Sequence, residues 1–83
     1  MSNQWKITKD VIDFGEANGV TSNDYQKDTE LPVRFKMYDD DGELYFEGRM
    51  ETPDFHPLDD FGMPGYGCTE IKYSENGNKF ETL

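Results

Sequence analysis

The sequence predicts a mainly β domain: a single antiparallel sheet of about five strands, two hairpins plus an N-terminal strand, with one short helical turn. Three observations carry this. Apolar and polar residues alternate across residues 33–50, the period of a strand with one buried face. Asn76-Gly77 separates two further short runs, and Asn-Gly is the strongest short-range hairpin signal. Helical periodicity is nearly absent.

The first element is residues 4–8, with Trp5 and Ile7 inward, continuing irregularly through Val11, Ile12 and Phe14. Residues 13–30 are rich in Gly, Asn, Ser, Thr and Asp and read as a long surface connection, with room for one helical turn over 23–27. The first hairpin follows. Val33, Phe35 and Met37 alternate against Arg34, Lys36 and Tyr38; Leu44, Phe46, Gly48 and Met50 alternate against Glu43, Tyr45, Glu47 and Arg49. Two registers keep the apolar faces together. A two-residue loop at Asp41-Gly42 puts Arg34 opposite Arg49. A four-residue loop, Asp39 to Gly42, puts Phe35 opposite Phe46, Met37 opposite Leu44 and Arg34 opposite Glu47. Like charges directly opposite are unfavourable, so the four-residue loop is expected. A slip by one residue would bury Arg34 and Lys36.

The second hairpin covers residues 69–82. A two-residue loop at Asn76-Gly77 pairs Tyr73 with Phe80, Ile71 with Thr82 and Lys72 with Glu81. Between the hairpins, residues 54–60 suit one helical turn, since Pro57 tolerates a first helical position and Gly62 suits a stop. Met63-Pro64-Gly65 then reads as a turn. Leu58 and Phe61 would plug one end of the sheet, which could also curl into a small half-barrel. Trp5 to Thr8 is expected to form an exposed edge, which leaves monomer and homodimer both open.

The chain has 83 residues, so a single domain over 1–83 is expected. Only 34% of residues are hydrophobic, yet 14% are aromatic, which argues for a folded domain with a thin aromatic core. No run of apolar residues is long enough to span a bilayer. A single cysteine fits a reducing compartment, and cytoplasm is the expected location. The net charge is −10 and is unevenly spread. Residues 37–63 hold nine acids and one base, Arg49, while the flanking thirds are each net −1. Such a block repels nucleic acid and anionic membranes and attracts basic partners.

His56, Asp59, Asp60 and Cys68 are the enzyme-like set, but nothing in their spacing brings a base to the thiol. No catalytic residues and no cofactor are therefore expected. The Asp39-Asp40-Asp41-Gly42-Glu43 run resembles a calcium loop, but it lacks the alternate acids and the glutamate at the twelfth position. One Cys and one His are too few for zinc. No metal is expected. Tyr38 and Tyr45 share their face with Glu43 and Glu47, so direct nucleic-acid binding is not expected either.

What remains is protein binding. Glu43, Tyr45, Glu47 and Glu51 point one way along a strand, interrupted by Arg49. Asp39, Asp40 and Asp41 extend the row at the turn, and Asp59 and Asp60 are placed at its far edge. A surface of these residues would present carboxylates to arginines and lysines, with tyrosines as anchors. The expected function is a non-enzymatic acidic protein-binding domain, in its sharpest form a DNA mimic that inhibits a nucleic-acid-binding defence complex. The alternatives are a small-molecule or metal-binding domain centred on residues 55–68, and a housekeeping bacterial domain.

Three segments, "WKITKDVID", "MYDDDGELYFEGR" and "PLDDFGMPGYGCTEIKY", together resemble a group of small acidic bacterial and mobile-element proteins. The resemblance covers about half the chain. It implies a bacterial or phage setting and a compact β-rich fold, and carries no catalytic or binding residue across. In size and acidity the chain is also similar to phage inhibitors of host defence, including anti-CRISPR and anti-restriction proteins.

Overall fold

The computed structural model describes the chain apart from residues 1–3, 13, 24, 28 and 29. Alternation is converted directly into strands: β1 (Trp5–Asp10), β2 (Val33–Tyr38), β3 (Leu44–Met50), β4 (Glu70–Ser74) and β5 (Glu81–Thr82). They form one open antiparallel sheet in the order β1-β3-β2-β4-β5. The mainly β class and the five strands are those the sequence predicts. On the inner face Trp5, Ile7, Val33, Phe35, Met37, Phe46, Met50 and Ile71 are buried.

A helical segment covers that face. A π-helical turn, Leu58–Gly62, runs directly into α1, Met63–Tyr66. Leu58 is buried, and the Phe61 ring meets Trp5, Phe46 and Tyr66 with centroids 5.9, 5.0 and 5.3 Å away. The helix therefore runs further than the sequence reading allowed. Gly62 is no stop: a Cβ there would stand 2.7 Å from the Met37 sulfur and 3.2 Å from Cys68 Cβ, so only glycine lets the helix approach the sheet. Met63-Pro64-Gly65 is helix rather than turn, and Pro64, lacking an N–H, falls where the π-helical turn gives way to α1. The stop is Gly67, at φ 74°, whose N–H donates to Met63 O.

The first hairpin adopts the register that charge pairing disfavours. Arg34 lies opposite Arg49, Phe35 opposite Gly48, Lys36 opposite Glu47 and Met37 opposite Phe46. The register then shifts, so that Tyr38 pairs with Leu44. Packing decides it. The Phe35 ring fills the space over Gly48, where a Cβ would sit 2.3 Å from Phe35 Cζ. Phe35 is buried in either register, so what separates them is this fit of ring over glycine, set against roughly 0.2–1 kcal/mol for a cross-strand charge pair. The shift leaves Tyr45 as the extra residue and lets the loop close at Asp39, which exchanges backbone hydrogen bonds with Gly42 and Glu43.

The second hairpin is also offset from expectation: Lys72 pairs with Thr82 and Tyr73 with Glu81. Ser74, buried, is the reason. Its hydroxyl accepts from Gly77 N at 2.8 Å and donates to Asn76 Oδ1, which accepts from Asn78 N. These local bonds support a wider loop over residues 75–80 in place of the tight Asn-Gly turn.

The β1 edge is not open over Trp5 to Ile7. Residues 19–22 lie antiparallel against it. Ile7 N donates to Val20 O, Ser22 N to Trp5 O, Gly19 N to Ile7 O, and Trp5 N to Ser22 Oγ. Asp10 anchors the preceding loop: its carboxylate accepts from Ile12 N and Ala17 N, while Asp10 N donates to Asn18 Oδ1. Past Asp10 the Val11 amide still donates to Tyr45 O of β3, but the strand ends there, and Val11, Ile12 and Phe14 are exposed rather than continuing it. The helical turn expected over 23–27 includes residue 24, outside the described residues. Beside it, Tyr25 N donates to Ser22 O.

Candidate binding surface

The carboxylates singled out from the sequence do not form one stripe. Asp39, Asp40, Asp41 and Glu43 crowd the tip of the first hairpin. Asp39 organises it, Oδ1 accepting from both Asp41 N and Glu43 N at 2.9 Å. These amides, and the Tyr45 hydroxyl, hold the Asp39 carboxyl below its ordinary value. The same bond raises Tyr45, because the neutral phenol donates to Asp39. The corner is thus a fixed, ionised turn with Tyr45 at its base. Glu51 sits past the far end of β3 and accepts from Gln4 N. Asp59 and Asp60 are exposed on the helical segment, and Asp60 lines a hollow of about 380 Å³ with Trp5, Phe61 and residues 20–23.

Glu47 stands in different company. On the outer face of the sheet Arg49 is flanked by Lys6 and Arg34, and Glu47 by Lys9 and Lys36, with Lys72 next to Lys36. Six of the chain's eight bases therefore share one face, against the strand carboxylates Glu47 and Glu70. A cleft of about 420 Å³ opens there, lined by Thr8, Arg34, Phe35, Lys36, Glu47, Gly48, Arg49, Gly77 and Phe80. This cationic face is absent from the sequence reading. Its one signal was the register that sets Arg34 beside Arg49, which charge pairing argues against.

The enzyme-like set is dispersed by environment. Cys68 is fully buried beneath the helix, and burial pushes its thiol up to about 11, so the nucleophilic thiolate is scarce. His56 is exposed and lies 3.3 Å from Asp54. Among the described residues no three His, Cys, Asp or Glu side chains converge on a metal position. No helix among them is long and apolar enough to cross a membrane. Compared with known proteins, the chain matches no family model, no curated protein and no solved structure.

Proposed function

We propose that the chain is a non-enzymatic binding domain whose acidic side engages a basic surface on a partner protein. The observation that carries this reading is the segregation of charge. With six bases gathered on the outer sheet face, Lys27 and Lys79 are the bases left elsewhere in a chain of 18 acids. The rest of the surface is correspondingly anionic, and its most concentrated point is the 39–43 corner. That corner is held in shape by its own amides donating to the Asp39 carboxylate, so little ordering entropy opposes binding. The inert Cys68 thiol supports the non-enzymatic part of the reading.

The partner that fits is a nucleic-acid-binding protein whose arginines and lysines normally hold phosphates. The chain's size and acidity, similar to those of phage inhibitors of host defence, suggest a host-defence complex as its sharpest form. The test is competition. A panel of DNA-binding restriction and CRISPR effector complexes is loaded with labelled DNA and titrated with the protein at two salt concentrations. Displacement should weaken as salt rises. Reversing charge at Asp41 and Glu43 together should abolish it, whereas Glu47→Lys, on the cationic face, should not. Displacement that is indifferent to salt, or that survives the Asp41/Glu43 reversal, contradicts the proposal.

A further inference from the structure

We infer that the cleft on the outer face of the sheet binds the phosphoryl group of a small organic molecule. Its floor is the sheet itself at Phe35 and Gly48, and its volume of about 420 Å³ lies within the roughly 300–1,000 Å³ of small-ligand sites. Three cations line it: Arg34, Lys36 and Arg49. Each is held by a neutral partner. Arg49 Nε donates to Leu31 O at 2.8 Å. The Arg34 guanidinium packs at Gly77, where a Cβ would come within 3.1 Å of Cζ. Lys36 Nζ sits 4.4 Å from the centre of the Phe80 ring. The ion pairs within 4.0 Å among the described residues are His56–Asp54 and Lys72–Glu70, so none of the three is neutralised there.

Three cations set against the single carboxylate of Glu47 leave the concavity net positive, and Arg34 directly opposite Arg49 is the pairing strands avoid. Places where a fold breaks such a local rule are where functional sites concentrate. An arriving anion would relieve the repulsion. Two guanidinium forks match the oxygens of a phosphoryl group, which carries about −1.5 to −2 charges near neutrality. Lys36 supplies a third positive charge. Glu47, the one carboxylate lining the cleft, is positioned to accept from a hydroxyl or amino group on the ligand body. A polyanion is disfavoured, because a net charge of −10 repels an extended strand beyond the cleft.

The experiment is a thermal-unfolding titration of the whole chain with inorganic phosphate, adenosine monophosphate, adenosine and citrate. Phosphate and the monophosphate should raise Tm, by about 11–22 °C at a hundredfold excess over Kd. Adenosine should leave it unchanged, and citrate should act more weakly than either phosphate compound. Arg34→Gln and Arg49→Gln should each lose the ligand-induced shift, measured against the variant's own ligand-free Tm. Lys79→Gln, outside the cleft, should keep it. No shift with either phosphate compound, a citrate effect as large as theirs, retention of the shift in an arginine variant, or its loss in Lys79→Gln each overturns the assignment.

Discussion

Replacing Gly48 with alanine tests the packing that fixes the first hairpin. A Cβ at this position would lie 2.3 Å from Phe35 Cζ, 2.7 Å from Phe35 Cε2 and 2.4 Å from the Lys6 carbonyl oxygen. Carbon atoms in contact rest about 3.5–4.0 Å apart, so the ring must move by more than an ångström. It has nowhere to go, since Phe35 is 1% exposed. The Lys6 carbonyl is equally constrained, because β1 is paired on one side to β3 and on the other to residues 19–22. Overpacking of this kind costs about 1–3 kcal/mol, and two simultaneous obstacles place it near the top of that range. Alanine also restricts the unfolded chain, which offsets about 0.4–1 kcal/mol. The net loss is about 2 kcal/mol, or a Tm lower by about 8–16 °C in a domain of this size. Urea and thermal unfolding followed by Trp5 fluorescence and circular dichroism would read it. In the four-residue-loop register Gly48 would face Val33 instead and the Phe35 ring would lie elsewhere. A Gly48→Ala variant that unfolds at the same or a higher temperature would therefore refute the observed register and the packing argument with it.

Other perturbations have definite outcomes. Asp10→Ala leaves the amides of Ile12 and Ala17 without their carboxylate acceptor and should cost about 2–3 kcal/mol in urea unfolding, with faster hydrogen exchange at both amides. Cys68, raised from 9.0 to about 11, has about a hundredfold less thiolate at pH 8 than an ordinary thiol. A disulfide reagent should accordingly label the native protein at least that much more slowly than the unfolded one, with burial slowing it further. Asp39 has a lowered folded pKa, so its contribution to stability is present above its ordinary value of 3.8 and is lost as pH falls through the folded value. Asp39→Asn should flatten that part of the acid-unfolding curve. It should also bring the raised Tyr45 titration, followed by ultraviolet absorbance, back toward 10.0.

Much of the fold could be read because strands with one wet face declare themselves by alternation. Val33, Phe35, Met37, Phe46, Met50 and Ile71 all lie on the face their spacing assigns. Register was less legible, because it turned on which side chain is small. Gly48 reads as a weak strand residue until Phe35 is seen above it, and the repulsion between Arg34 and Arg49 argued for the wrong partner. The cover over the β1 edge had no periodic signal: residues 19–22 are Gly-Val-Thr-Ser, and they are held to β1 mainly by backbone hydrogen bonds, which any side chains allow. Pro64 and Gly65 read as a reversal because their usual preference is for turns, yet Pro64 sits inside a helical segment, where the π-helical turn gives way to α1.

At the surface, the acidic corner was visible as a run of aspartates. Asp59 and Asp60, however, lie on the helical segment and Glu51 beyond the other end of β3, so sequence proximity overstated how far they combine with it. The cationic face was hidden for a different reason. Its members come from four strands, and only the sheet order β1-β3-β2-β4 brings Lys6, Lys9, Arg34, Lys36, Arg49 and Lys72 together. Within the sequence they fall as two close pairs, Lys6 and Lys9, Arg34 and Lys36, and two single bases, Arg49 and Lys72, with nothing to show that the strands carrying them are neighbours.

The separation of charge into an acidic corner and a cationic sheet face is the centre of the account, and it can be tested before a partner is known. The measurement is a titration of the isotopically labelled protein with a short oligoarginine peptide, followed by amide chemical shifts. Salt-sensitive shifts are expected at residues 39–43, with the amides of Lys6, Arg34 and Arg49 unmoved. Shifts spread evenly over the acidic residues, or centred on the outer face of the sheet, would contradict it.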